Sequence, residues 1–412
     1  MKISLLNKSL YLLLSLSLFI GFYFGEDSSG SGGHIADFNN TWQLVLNFQK
    51  SLFIDFTKWI AIFPLHYIIL SKIQTLVQDQ YLLRLFHCTI SLIIPYLFYV
   101  CLKNKFENVD KNLLFLFSLI IFLLPSYRSG AIWANSQITG LIFFLLSLVF
   151  FTSWIKKKDF NRINLDLFLQ VAFMSLAVYT RQLYAAVFLY FVFLYYKNLK
   201  FKTFLLSCII IFIFALPGIF LVLNFPILLG LTYDGRFYNS ILVNSSIISF
   251  YLIPIYFSLF FAKQNSFHLK DKKIIIAASI SVFIVLIFSY YFNYNFRLGG
   301  GFFLKLSIIL FDNFYLFFAS SLIGLFLISL LSFENKDNFI LLALLILAFS
   351  GFYIAQKYFE PIFLLLLFVV LETKISHKFF SNFKHTYFYY SYILIYFVSA
   401  VINDVFKITK SI

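Results

Sequence analysis

The chain has 412 residues, of which 61% are hydrophobic, 22% aromatic and only 12% charged, with a formal net charge of +15. A soluble domain is about half apolar and a quarter charged, so this composition excludes a mostly wetted surface and describes an integral membrane protein. The basic residues cluster between apolar segments, as in cytoplasmic loops, which sets nucleic acid aside as a partner and makes the lipid bilayer the first one.

A spanning helix needs roughly 20 apolar residues. Spans are therefore predicted near 8–24, 80–102, 112–126, 131–154, 164–180, 182–196, 203–223, 246–262, 274–292, 314–332, 339–355 and 361–373, with a further one near 386–405. The expected fold class is all-α, a polytopic bundle of about 12 or 13 spans forming one transmembrane domain over 1–412. The first span follows Lys2 and Lys8 and ends in Phe-Tyr-Phe without an A-x-A-like cleavage site, which reads as an uncleaved signal anchor with a cytoplasmic N-terminus. Alternating from there puts about 20 of the 32 basic residues in inside loops. Residues 25–79 then form the first outer loop, on the periplasmic side of a bacterial inner (plasma) membrane.

That loop begins "GEDSSGSGGHIAD" (25–37) and gathers Glu26, Asp27, His34 and Asp37 where the first apolar run stops. A carboxylate there can act as a general base, and the small residues after Asp27 let a bulky acceptor approach. The other readings are a helix cap or solvated loop for the acids and a plain linker for the glycines, which have no preceding strand or following Lys and so form no P-loop. His34 with Asp27 and Asp37 has the donor types of a divalent metal site, but a lone loop histidine is usually not a ligand, so no metal is assigned. No cofactor is expected, with a divalent cation as the alternative. Residues 36–78 carry apolar side chains at helical spacing, interrupted by Pro64 and by Lys50, Asp55, Lys58 and Lys72. They read as interfacial amphipathic helices roofing the carboxylates.

The outer basic residues are mostly single and sit at helix ends: Lys50, Lys58, Lys72, Arg84, Arg128, Arg181, Arg236, Arg297, Lys305 and Lys357. Each either snorkels or faces an anion. "LTYDGRFYNS" (231–240) adds Tyr233 and Asp234 beside Arg236, and "NYNFRLGGGFFLK" (293–305) adds three glycines between Arg297 and Lys305, whose amides can form an anion nest. Either stretch can equally be an ordinary re-entrant loop. Cys88, Cys101 and Cys208 show neither C-x-x-C nor Cys/His spacing, so no disulfide framework or structural zinc is indicated.

In chain order, Glu26-Asp27, Phe63-Pro64-Leu65-His66-Tyr67, Arg84 in "YLLRLF", Arg128 in "LPSYRSGAIWANSQITGLIFFLLSL", Arg181-Gln182 in "YTRQLYAA" and Lys357-Tyr358 with Glu360 in "QKYFEPIF" form a series. This series resembles the GT-C superfamily of polyprenyl-phosphate-sugar glycosyltransferases, and its Arg-Gln pair and acidic first loop are similar to the subfamily that transfers glucose from dolichyl phosphate. The resemblance implies a membrane hexosyltransferase that moves a sugar from a polyprenyl-phosphate donor to a glycan or lipid-linked acceptor on the outer face, with inversion. It implies Asp27 as catalytic base with Glu26 as the alternative. It implies substrate contacts from His34, Asp37, His66, Arg84, Arg128, Arg181, Gln182, Lys357, Tyr358 and Glu360, to which the composition of the outer loops 231–240 and 293–305 adds Tyr233, Arg236, Arg297 and Lys305. Arg181 is the first choice for the leaving phosphate, then Arg297 with Lys305. The chain departs from the pattern in reading Glu-Asp for Asp-Glu and Phe63-Pro64 for Pro-Pro. It also carries no large soluble domain after the last span, which argues against the oligosaccharyltransferase branch. A surface-glycan polymerase or ligase and a transporter or flippase are the competing classes.

Overall fold

The computed structural model describes residues 3–28, 34–51, 62–158, 160–229, 237–261, 271–295, 299–348 and 354–411. Every regular element among them is helical, and the chain divides into two compact units, residues 1–232 with 393–412 and residues 233–392.

The first unit contains α1 (Leu5–Phe24), α2 (His34–Lys50), α3 (Leu65–Val77), α4 (Gln80–Ser91), α5 (Ile93–Lys105), α6 (Lys111–Ser118), α7 (Pro125–Ile132), α8 (Ser136–Lys157), α9 (Leu165–Thr180), α10 (Tyr184–Asn198) and α11 (Phe201–Asn224). Polar caps cut this apolar sequence into rods. Asp79, Asp110, Asn135 and Asn164 accept amide hydrogens at the starts of α4, α6, α8 and α9, and Pro125 opens α7. The end of α1 is Gly25, whose φ of 66° is the left-handed conformation that stops a helix at no steric cost. The helices expected after the first span form as α2 and α3. On α2, His34, Phe38, Thr41, Val45 and Phe48 are buried at helical spacing, as an amphipathic helix requires. Leu44 and Phe48 pack on Tyr67 of α3, while Phe38, Val45, Leu70, Leu83 and Ala134 tie α2, α3 and α4 to the turn before α8.

The second unit contains α12 (Phe237–Phe261), α13 (Asp271–Tyr291), α14 (Gly301–Phe311), α15 (Tyr315–Glu334), α16 (Lys336–Ala348), α17 (Ile362–Leu365) and α18 (Lys374–Phe379). The last helix, α19 (Phe383–Ser411), begins in this unit and contributes its residues from 393 onward to the first. In the second unit α12 is buried along most of its length, and α15 lies so close that a Cβ on Gly324 would collide with the Ser245 carbonyl. Ser246 and Ser320 hydroxyls meet at 2.7 Å, and Ser321 Oγ donates to Leu242 O at 2.9 Å. Small residues and hydroxyl bonds replace the hydrophobic drive that helices lack inside lipid.

By length and composition, seven of the described segments can cross a bilayer, or eight if Lys111–Leu123 and Pro125–Ile132, bent by 66°, form one span. The chain is therefore compatible with an integral membrane protein. The sequence suggested 12 or 13 spans, and the difference has identifiable causes. Pro125 bends the third segment. The segments expected at 164–180 and 182–196 are α9 and α10, of 16 and 15 residues, short for a bilayer. Segment 361–373 holds the short α17 and a π-helical turn, Leu366–Val370, all buried by protein, so its apolar character reflects a core rather than lipid. The reverse holds for α11 and α13, which turn Ile209, Phe212, Phe220, Ile275, Phe283 and Leu286 outward, a surface that water would not tolerate.

Candidate functional site

After Gly25 the chain folds back, and the Glu26 amide donates to Gly21 O at 2.9 Å. The Glu26 carboxylate meets Arg128 of α7 as a fork, Nε to Oε1 at 2.8 Å and Nη2 to Oε2 at 2.7 Å. Of the remaining guanidinium hydrogens two go to Ser17, Nη1 to its Oγ at 3.0 Å and Nη2 to its carbonyl at 2.9 Å, and Nη1 also donates to Phe122 O at 3.4 Å. Phe397 of α19 presents its ring 4.8 Å from the Arg128 guanidinium, and Ser28 Oγ donates to Glu26 Oε1 at 2.7 Å. The two side chains are 3% and 10% exposed, so this is a buried, hydrogen-bonded ion pair. Gly21 makes room for it, because a Cβ there would lie 2.9 Å from Arg128 Nη2 and closer still to Glu26 Oε2. Glu26, the alternative base, and Arg128, a candidate anion ligand, thus occupy one another.

Asp27 differs. Its carboxylate accepts the Ile35 amide at 3.4 Å in the first turn of α2, the positive end of that helix, and its own amide donates to Asp404 Oδ2 at 2.9 Å. It is 5% exposed. Asp37 lies in the same first turn and accepts from Asn135 Nδ2 at 3.3 Å, while His34 is fully buried. Among the described residues no group of three or more His, Cys, Asp or Glu is disposed to hold a metal ion.

Arg84 sits in an aromatic cage, its guanidinium 3.6 Å from the Trp133 ring centroid, 5.2 Å from Phe22 and 5.5 Å from Phe38, with Nε donating to Ile132 O at 3.0 Å. Trp133 Nε1 in turn donates to Glu26 O at 3.0 Å. Arg84 therefore braces the wall behind the acidic motif.

His66 is fully buried between Ala134 O, 3.0 Å from Nε2, and Thr139 Oγ1, 2.8 Å from Nδ1. A carbonyl only accepts, so Nε2 carries the hydrogen. Burial, with His87 and Arg181 adding, pushes this imidazole well below its ordinary value, so Nδ1 accepts from the Thr139 hydroxyl. His87 Nε2 lies 3.3 Å from the same hydroxyl oxygen. His66 thus joins α3 to α8, and its neighbour Tyr67 lies within the electrostatic influence of Arg181 and Asp37. Burial pushes the Tyr67 phenol up to about 12, against the pull of Arg181 and with Asp37 adding, so it stays a hydrogen-bond donor at neutral pH.

Arg181 follows α9, its amide donating to Ala177 O at 3.0 Å, and Gln182 Nε2 donates to Leu228 O at 2.9 Å. Two residues earlier, the Tyr179 hydroxyl enters the hydrogen-bond ladder of α11 beside Pro217, donating to Phe214 O and accepting from the Gly218 amide at 3.0 Å. Tyr179→Phe should strand both backbone groups in an apolar setting and cost about 1–3 kcal/mol. The unfolding midpoint of purified protein should fall, and the added change Pro217→Ala, which lets the ladder close, should recover it. An unchanged midpoint in the single variant would show the hydroxyl to be idle.

In the second unit, the Gly300 amide donates to Ile354 O at 2.7 Å and the Phe302 amide to Gln356 Oε1 at 2.8 Å, so two amides of the glycine segment already have internal acceptors. Gly299, Gly300 and Gly301 all have positive φ. Gln356 Nε2 reaches Tyr251 OH at 3.3 Å, and Tyr251 OH donates to Glu360 Oε1 at 3.0 Å. Glu360 and Lys357 are buried, while Tyr358 and Lys305 are half-buried. Tyr233, Arg236 and Arg297 lie outside the described residues.

Sequence reading missed Gly21, Thr139, His87, Trp133, Tyr179, Phe397 and Asp404. Only Asp404 carried a signal, a lone acid in the apolar run 386–405. No protein-family model, curated protein or solved structure matches the chain.

Proposed function

We propose that the protein is a membrane glycosyltransferase moving a sugar from a polyprenyl-phosphate donor to an acceptor hydroxyl on the outer face of the membrane, with inversion, and that shorter apolar helices complete its set of spans. The observation that carries this reading is the division of labour between adjacent acids: Arg128 takes both oxygens of Glu26, whereas the Asp27 carboxylate accepts the Ile35 amide at the positive end of α2. In-line displacement at a sugar carbon needs one base to take the acceptor proton, and Asp27 is that base. Negative charge grows on the departing phosphate, and Arg181, which acts on Tyr67 together with Asp37 of α2, is the cation assigned to it. Amphipathic α2 and α3 form the interfacial roof. His34, Tyr233, Arg236, Arg297, Lys305, Lys357, Tyr358 and Glu360 stand as substrate contacts on sequence grounds.

A transporter is the second reading, favoured by Lys357 and Glu360 buried in a unit compatible with a membrane. Purified protein in proteoliposomes that carry the lipid and glycan extract of the source membrane as acceptor, with a panel of undecaprenyl-phosphate hexoses as donors, separates the two. Transfer should release undecaprenyl phosphate and give a product of inverted anomeric configuration. Movement of the lipid between leaflets without release of the phosphate would favour the transporter.

A further inference from the structure

We propose that α19 completes the acidic corner of the first unit and that Asp404 is a positioning residue for Asp27, an inference that rests on the glycosyltransferase reading above. Two side chains of α19, seven residues apart and therefore on one helical face, close on the motif that follows α1. Phe397 lies over the Arg128 guanidinium at 4.8 Å, and Asp404 Oδ2 accepts the Asp27 amide hydrogen at 2.9 Å. The same face thus grips both the ion pair that engages Glu26 and the backbone of the neighbouring acid.

An ionisable side chain in an apolar helix is costly and marks a site where it has a partner. Here the partner is the peptide group of the proposed base. Asp27 is then fixed from two sides, its amide by Asp404 and its carboxylate by the Ile35 amide at 3.4 Å. Holding the amide sets the direction of the Cα–Cβ bond, and hence where the carboxylate meets an acceptor hydroxyl. A misplacement of about 1 Å at such a group costs about 10²-fold in rate. Asp404 binds backbone and transfers no proton in this scheme, so its effect passes entirely through Asp27.

The test uses full-length protein in proteoliposomes, with tritiated undecaprenyl-phosphate hexoses as donors and amide hydrogen exchange as a readout independent of substrate. Asp404→Leu removes the acceptor, and Asp404→Asn keeps an oxygen in the same place. Asp404→Leu should speed exchange at the Asp27 amide and lower kcat by about 10–10² with donor KM unchanged. Asp404→Asn should recover much of both. In an Asp27→Asn background Asp404→Leu should cost nothing further, which a merely structural residue would not show. Should Asp404→Leu not accumulate, Asp404→Glu keeps the charge but shifts the acceptor, and kcat should fall at normal yield. If Asp27→Asn abolishes transfer while Asp404→Leu or Asp404→Glu leaves exchange and kcat at wild-type values, the positioning role is overturned and the glycosyltransferase reading stands. If Asp27→Asn transfers as well as wild type, that reading fails and the role of Asp404 fails with it.

Discussion

Glu26→Gln is expected to destabilise the first unit by about 3–5 kcal/mol, the range for removing one partner of a buried ion pair. Arg128 places Nε and Nη2 against the two Glu26 oxygens, and glutamine returns one oxygen and one NH2 group, so one bond of the fork becomes donor against donor. The guanidinium would keep its bonds to Ser17 but lose its counter-charge at 3% exposure. Against a total stability of about 5–15 kcal/mol for a domain, the loss should appear as a large drop in folded protein recovered from detergent. Arg128→Met should behave similarly by stranding the carboxylate. Replacing both partners, Glu26→Leu with Arg128→Met, removes both charges and should be more stable than either single change. Single variants as stable as wild type would show that the pair contributes nothing to folding.

The helical class and the compatibility with a membrane were legible in composition and apolar run length, because both depend on transfer free energy, which is local to each segment. Caps were legible for the same reason: Asp79, Asn135 and Pro125 announce helix starts through their own side chains. The span count was less so, since an apolar run has the same composition whether lipid or protein covers it, as 361–373 and α11 show from opposite sides. At the site, sequence picked out Glu26, Asp27, Arg84, Arg128 and His66 but could not assign their partners. Arg84 looks identical in sequence whether it faces a phosphate or stacks on Trp133, and the pairing of residue 26 with residue 128 is a tertiary fact. Gly21 is silent for a related reason, being needed only because that pair passes beside it.

Asp27→Asn separates the chemistry from the scaffold. Asparagine preserves the shape of the side chain, an oxygen for the Ile35 amide and the backbone bond to Asp404, so the fold should be unaffected. It removes the basicity, and losing a general base costs about 10²–10⁴-fold in turnover. The deficit should lie in kcat, because an acceptor proton is transferred only on the way to the transition state, while donor KM holds. Glu26→Gln makes the contrasting control, with low yield but near-normal turnover per folded molecule. The decisive measurement is therefore the turnover of folded, purified Asp27→Asn with the undecaprenyl-phosphate hexose that wild-type protein uses. The account predicts a fall of about 10²-fold or more at unchanged yield and donor KM, and wild-type turnover in that variant would contradict it.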